Sequence, residues 1–203
     1  MSVADSVLTV EGVETALAEV AERVSQVTVH VRTGSRSAGA GVMWLRSGLV
    51  VTNAHVATGN DAEVVLPDGR VVRARLLARD PRRDLAALAL PREEHAAALR
   101  IDARGLRPGE LVIAVGHPLG VAYATALGIV HRAPGSGRGP AGWLQADIRL
   151  APGNSGGPLA DASGRIVGIN AMIVGGLGLA VPTHIVERFV QDTERARVGV
   201  RAA

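Results

Sequence analysis

Gly153-Asn154-Ser155-Gly156-Gly157-Pro158-Leu159 places a serine hydroxyl in a turn crowded with glycine. Without a Cβ, glycine takes left-handed backbone angles and lets the chain approach a bound group closely. Gly153 is therefore expected to aim its N–H outward, and Gly156 and Gly157 to keep side chains away from an attacked carbonyl. Upstream stand Thr52-Asn53-Ala54-His55-Val56 and Arg83-Asp84-Leu85-Ala86. His, Asp, Ser is one of the chain orders in which a base, an orienting acid and a nucleophile occur.

A serine hydroxyl attacks poorly near neutral pH unless a base lies in hydrogen-bond reach and a third group holds that base in the correct tautomer. His55 suits the base, because it follows the apolar run Leu49-Val50-Val51 where the chain leaves a strand, and strand ends hold side chains rigidly. Two carboxylates compete for the third role. Asp80 precedes Pro81 and reads as a loop residue. Asp84 opens the apolar run Leu85-Ala86-Ala87-Leu88-Ala89-Leu90, where a carboxylate is costly to bury without a partner such as a histidine N–H. The expected catalytic set is His55, Asp84 and Ser155. The segment Gly153, Asn154 and Ser155 would form the oxyanion hole, with the N–H groups of Gly153 and Ser155 as donors to charge that develops only in the transition state. A Gly-Asn-Ser-Gly-Gly string by itself can be an ordinary turn; it is the three segments in order, on a strand-rich background, that favour catalysis.

Composition is consistent with a globular chain of short strands. The 203 residues are 47% apolar, with 25 glycines and 10 prolines, and suffice to bury roughly 70% of the unfolded surface. Aromatic residues make up 2%, so the core must be aliphatic. With no cysteine, disulfides and thiolate metal sites are excluded. The basic residues are all arginine and exceed the acidic ones by three. The densest cluster, Arg73, Arg75, Arg79, Arg82 and Arg83, reads as a solvated face, since no aromatic side chains interleave to stack on bases. No nucleic-acid partner is expected. No stretch reaches the roughly 20 apolar residues of a membrane span, and the N-terminus lacks the basic start of a signal peptide. The expected location is cytoplasmic, or periplasmic or exported if an export segment has been trimmed away.

Val13, Leu17, Val20 and Val24 recur at helical spacing, giving an amphipathic helix over residues 10–24. From Gln26 the period becomes two, with valines on one face and His30 on the polar, exposed one. Further strands are expected at Gly41 to Leu45, Leu49 to Thr52, Ala62 to Leu66, Val71 to Ala78, Leu85 to Leu90, Leu111 to Val115, Ala122 to His131, Trp143 to Ala146, Arg165 to Asn170 and Gly178 to Val181, separated by turn signals. Such spacing suggests a barrel or a sandwich. Arg132 to Gly142 reads as a mobile loop. Thr183 is expected to cap a closing helix whose buried stripe is Ile185, Val186, Phe189 and Val190, ahead of a polar, frayed tail.

These residues resemble the trypsin-like serine proteases of the chymotrypsin fold, most closely the high-temperature-requirement (HtrA) branch. Besides the catalytic segments, Gly48 through Val56, Val115-Gly116-His117-Pro118-Leu119-Gly120, Gly168-Ile169-Asn170 and Ala180-Val181-Pro182 look like that branch's strings. The resemblance implies an all-β fold of two packed antiparallel six-stranded Greek-key β-barrels with an N-terminal and a C-terminal helix. Helix 1–24, a first lobe 25–105 carrying His55 and Asp84, a second lobe 106–182 carrying Ser155, and helix and tail 183–203 are the expected divisions. It also implies endopeptidase action on unfolded or exposed protein segments, with possible trimers. Asn154, a neutral amide, cannot pair with a new N-terminal amine, so activation by cleavage is not expected.

Three features depart from the branch. The chain stops at Ala203 where relatives continue into a PDZ domain, so a bare protease module is expected. Arg149 stands where a small residue usually floors the S1 pocket, and would either favour acidic side chains or point away. Thr33 to Ala38 is a short loop where relatives sometimes carry an insertion. The pocket walls would come from Leu150, Ala151, Pro152, Ala171, Met172 and Ile173, suiting a small or medium aliphatic P1 residue. His95 and His117 are expected to be solvated or structural and His184 exposed; no metal or organic cofactor is expected. The rival reading is a latent, protease-fold binding module or scaffold, with Ala133 to Gly142 and Val174 to Gly178 as loops free to collapse.

Overall fold

The computed structural model describes residues 9–34, 37–91, 95–135 and 142–201. Thr9 caps α1 (Val10–Ser25), its Oγ1 accepting the Gly12 N–H at 3.1 Å, and the helix buries Val20 and Val24. The period then switches to two. Val29 and Val31 of β1 (Thr28–Thr33) are fully buried, and strands β2 (Ser37–Leu45), β3 (Leu49–Thr52), β4 (Asp61–Val65), β5 (Val71–Asp80) and β6 (Leu85–Ala89) follow. They close a barrel in the order β1-β2-β3-β6-β5-β4. A second barrel holds β7 (Leu111–Gly116), β8 (Ala124–Arg132), β9 (Leu144–Asp147), β10 (Pro158–Asp161), β11 (Ile166–Val174) and β12 (Leu177–Pro182). Its closed order, β7-β8-β9-β12-β11-β10, repeats that of the first barrel. In each, the first strand pairs with the fourth and the third with the sixth, all antiparallel. The two closed six-stranded barrels are those expected; the sandwich is not formed.

Three apolar clusters hold this together. One fills each barrel, around Val31, Val64 and Leu88 in the first and Val112, Leu144 and Val167 in the second. The largest lies between them, where Trp44, Leu49 and Leu85 meet Ile113, Trp143 and Ile169 beneath Val20 and Val24 of α1. Val186, Phe189 and Val190 of α2 (Thr183–Arg201) close it, with Ile185 half-buried.

Several local expectations are corrected. The strand β10 is not among those expected, because its four buried residues open on Pro158 directly after Gly156-Gly157 and read as part of the turn. The short loop expected at Thr33 to Ala38 is narrower than that, since Thr33 ends β1 and pairs with Ser37 of β2, leaving residues 34–36 between them, of which Ser35 and Arg36 lie outside the described residues. Val174 and Leu177 likewise pair across Gly175 and Gly176, whose φ of 60° and 84° are both left-handed, the geometry of a tight two-residue hairpin rather than a collapsible loop. The sparse stretch to Gly142 lies largely outside the described residues. Thr183 does not cap its helix from outside: it is the first helical residue, and its hydroxyl donates to Ile101 O at 2.6 Å and accepts the Ala103 N–H at 3.2 Å. Nor does a frayed tail follow directly, because α2 continues to Arg201.

Candidate active site

His55 and Asp84 come from the ends of neighbouring strands. After β3 the chain turns at once, the N–H groups of Val56 and Ala57 both donating to Asn53 O at 3.2 and 3.1 Å. Between β5 and β6, Asp80 shapes the connection: its Oδ1 accepts the N–H groups of Arg82 and Arg83 at 2.9 and 3.1 Å, an Asx turn. Asp84 follows at φ 53°. Because β3 and β6 pair as Thr52↔Ala86, the two turns sit side by side. His55 Nδ1 lies 2.8 Å from Asp84 Oδ2 and 3.0 Å from Oδ1, and the His55 backbone N–H donates to Oδ1 at 3.1 Å. An ionised carboxylate only accepts, so Nδ1 carries the ring proton and the lone pair stands on Nε2. The Asp84 side chain is 14% exposed and that of His55 50%. Asp80 makes no such contact; it builds the turn.

The Ser155 turn is docked on the same strand end. Ala40 N–H donates to Ser155 O at 2.8 Å, and Thr52 Oγ1 donates to Ala40 O at 2.7 Å. A Cβ on Gly156 would overlap Ala40 O and Thr52 Oγ1, and one on Gly157 would stand 2.6 Å from Val115 O. Gly156 therefore serves the contact between the barrels, and Gly157 the close approach of its turn to β7 within the second. From the other side, Asn170 accepts the Gly156 N–H, donates its own N–H to Gly157 O, and sends Nδ2 to Pro158 O at 2.8 Å. Ser155 Oγ donates to Ala171 O at 3.2 Å.

Gly153 has φ 106°, its carbonyl accepts the His117 N–H at 3.1 Å, and a Cβ there would overlap His117 O. Of the three residues expected to form the oxyanion hole, Asn154 is already committed: its N–H donates to Ala151 O at 3.0 Å. Among the described residues the N–H groups of Gly153 and Ser155 have no acceptor. A cavity of about 230 Å³ opens beside Ser155, walled by Leu150, Ala151, Pro152, Ala171, Met172 and Ile173, with Asn154 and Asn170 at its polar end. Arg149 is exposed and does not line it, because Ile148, buried to its inner side, takes the alternate direction on the extended chain.

Of the remaining histidines, His30 and His184 are less exposed than expected, His95 and His117 take the structural alternative, and His131 is exposed. His30 is half-buried and stacks on His117 with centroids 4.8 Å apart, and the His117 and Tyr123 rings meet edge to face, also with centroids 4.8 Å apart. Burial, and then the neighbouring His30, push the His117 imidazole down to about 4. His95 is buried, its N–H on Arg46 O, and His184 is half-buried near Asp102. The arginine cluster is not wholly solvated either: Arg79 Nε donates to Ala54 O at 2.8 Å, bracing the His55 turn. The roles of Asn53, Arg79 and Asn170 depend on partners far away in sequence and had no local signal.

A family model of the trypsin-like peptidase domain matches residues 39–169, which include His55, Asp84 and Ser155. The chain belongs to this family. Relatives carry HtrA and DegP names. This peptidase domain is 29% identical to serine protease HTRA3 of Homo sapiens over 91% of its length and 48% of that protein's. It is 34% identical to the serine protease Do-like HtrA of Lactobacillus helveticus (81% of this chain, 46% of the relative). It is 36% identical to a probable periplasmic serine endoprotease DegP-like of Brucella suis biovar 1 (80% and 35%). The chain thus spans about half or less of the length of these relatives. A solved HtrA-type protease with a tripeptide superposes at a TM-score of 0.79 and 31% identity, covering 86% of this chain and 62% of that one. Among the described residues no helix is long and apolar enough to cross a membrane.

Proposed function

We propose that this domain is a serine endopeptidase in which His55, Asp84 and Ser155 form the catalytic triad. The observation that carries the reading is the His55 to Asp84 contact, which fixes the imidazole tautomer required of a base. For catalysis Ser155 Oγ has to leave Ala171 O and turn its proton to His55 Nε2. Oγ then attacks the peptide carbonyl while Nε2 takes the proton, and Asp84 holds the imidazolium. The carbonyl oxygen gains the negative charge and is met by the N–H groups of Gly153 and Ser155; losing one such donor typically costs about 3 kcal/mol of transition-state stabilisation. Collapse of the tetrahedral intermediate breaks the C–N bond, Nε2 protonates the leaving amine, and water repeats the sequence on the acyl ester.

The aliphatic wall of the adjoining cavity supports a small or medium apolar P1 residue in an exposed or unfolded segment. The exposed position of Arg149 speaks against an acidic preference. A fluorophosphonate probe should label wild type and leave Ser155→Ala unlabelled. Folded wild type that resists the probe would overturn the proposal in favour of a latent, non-proteolytic module.

A further inference from the structure

Asp84 is one of two non-glycine residues with a left-handed φ among those described. Such a conformation is strained for a residue with a Cβ and persists only where the surroundings over-determine it. Two contacts act on Asp84 from the His55 side. The His55 N–H takes the carboxylate, and the Asn53 side chain takes the backbone, Nδ2 donating to Asp84 O at 2.9 Å. Asn53 is itself fully buried, and its Oδ1 has no hydrogen-bond partner among the described residues. A buried acceptor without a partner is a burden on stability that an apolar residue of similar size would not carry. An asparagine kept at such a cost is explained by what its Nδ2 does.

We infer that Asn53 is a positioning residue: its amide pins the Asp84 carbonyl in the left-handed turn, so that both carboxylate oxygens face His55 Nδ1. The spacing makes this possible. Asn53 is the first residue past β3 and Asp84 the last before β6, and the Thr52↔Ala86 pairing brings those positions together. Asp80 and Arg79 steady the two turns from outside, through the amides of Arg82 and Arg83 and the carbonyl of Ala54. Asn53 links one turn to the backbone of the other residue in the pair, through Nδ2 to Asp84 O. The inference rests on the proposed triad, so its test has one readout that needs no activity.

Asn53→Asp removes the donor at nearly constant volume, and Asn53→Leu removes the donor together with the orphan acceptor while adding methyl bulk. Each should still melt cooperatively, Asn53→Leu below wild type by the cost of the lost bond and the added bulk. Each should lose the strongly downfield proton resonance of an imidazole N–H shared with a carboxylate, assigned to His55 with His55→Gln. Each should react with the fluorophosphonate about 100-fold more slowly, the scale of a reacting group displaced by about 1 Å. Folded variants that keep the resonance, or label at the wild-type rate while wild type labels, would overturn the inference. So would two variants that fail to melt cooperatively, for Asn53 would then be holding the fold and not Asp84. If wild type does not label at all, the endopeptidase reading falls, while loss of the resonance in the variants still supports the positioning role.

Discussion

At the scale of single residues, His117 links the reactive turn to the first barrel. Its main chain holds Gly153, and its ring lies between His30 and Tyr123. Arg32 faces His30, and Asp68 acts on Tyr123, so the stack has charged neighbours of both signs. A free histidine titrates near 6.5, whereas His117 is pushed down to about 4 and His30 is also lowered, burial leading in both. As pH falls from about 6.5 to about 4, the unfolded chain therefore takes up protons that the folded chain refuses. Stability is lost across that window, and no more is lost from His117 below about 4. Urea midpoints measured through the window should fall for wild type and fall less for His117→Phe; equal slopes would remove His117 from the account. Asp102, held at about 2 chiefly by its hydrogen bonds with Arg104, acts only at lower pH, and His184, also lowered, is common to both proteins.

The same scale shows what a sequence reveals about a site. His55, Asp84 and Ser155 were legible because each lies in a short string whose chemistry is local. Asp84 was separated from Asp80 by its apolar neighbours, and the contact with His55 is the partner that argument required. The purpose of Gly156 was misread, because the atoms that forbid a Cβ there belong to Ala40 and Thr52, more than a hundred residues earlier. Asn53 sat unnoticed within a quoted motif for the same reason: its partner is Asp84, on another strand's turn.

At the scale of elements, alternation or an apolar run between turn signals made most strands readable, and their ends shifted only by a few residues. Strands β3 and β6, buried on both faces, showed as apolar runs, whereas β10 opens on Pro158 directly after Gly156-Gly157 and reads as part of the turn. Helix α2 shows how an amphipathic stripe becomes a joint. It packs on β11 and β12 of the second barrel and on β6 of the first, with Phe189 only 5% exposed. Phe189→Ala should cost about 3–5 kcal/mol. At about 2–4 °C per kcal/mol for a chain of this size, calorimetry should register the loss plainly. A shift below that of an ordinary surface substitution would mean that α2 rests on the barrels without stabilising them.

At the scale of the whole molecule, the largest apolar cluster belongs to neither barrel alone. Trp44 of the first and Trp143, just before β9 of the second, are both buried in it. A core shared in this way couples the two halves, and the chain should unfold in one step. Two variants that each retain one tryptophan, Trp44→Phe and Trp143→Phe, should give coincident fluorescence and circular dichroism transitions. A first barrel that persists after the second has melted would show the coupling to be weak.

The bond from Ala40 N–H to Ser155 O also bears on how the protein is made. All six strands of the first barrel precede those of the second, so a chain emerging from the ribosome releases His55 and Asp84 long before Ser155. Until then Ala40 has no acceptor from the second barrel, and the surface that will receive the serine turn stays open. On the proposed triad, a half-synthesised chain holds the base and its orienting acid but not the nucleophile. The proposed attacking hydroxyl is supplied only after most of the scaffold that confines it has been translated.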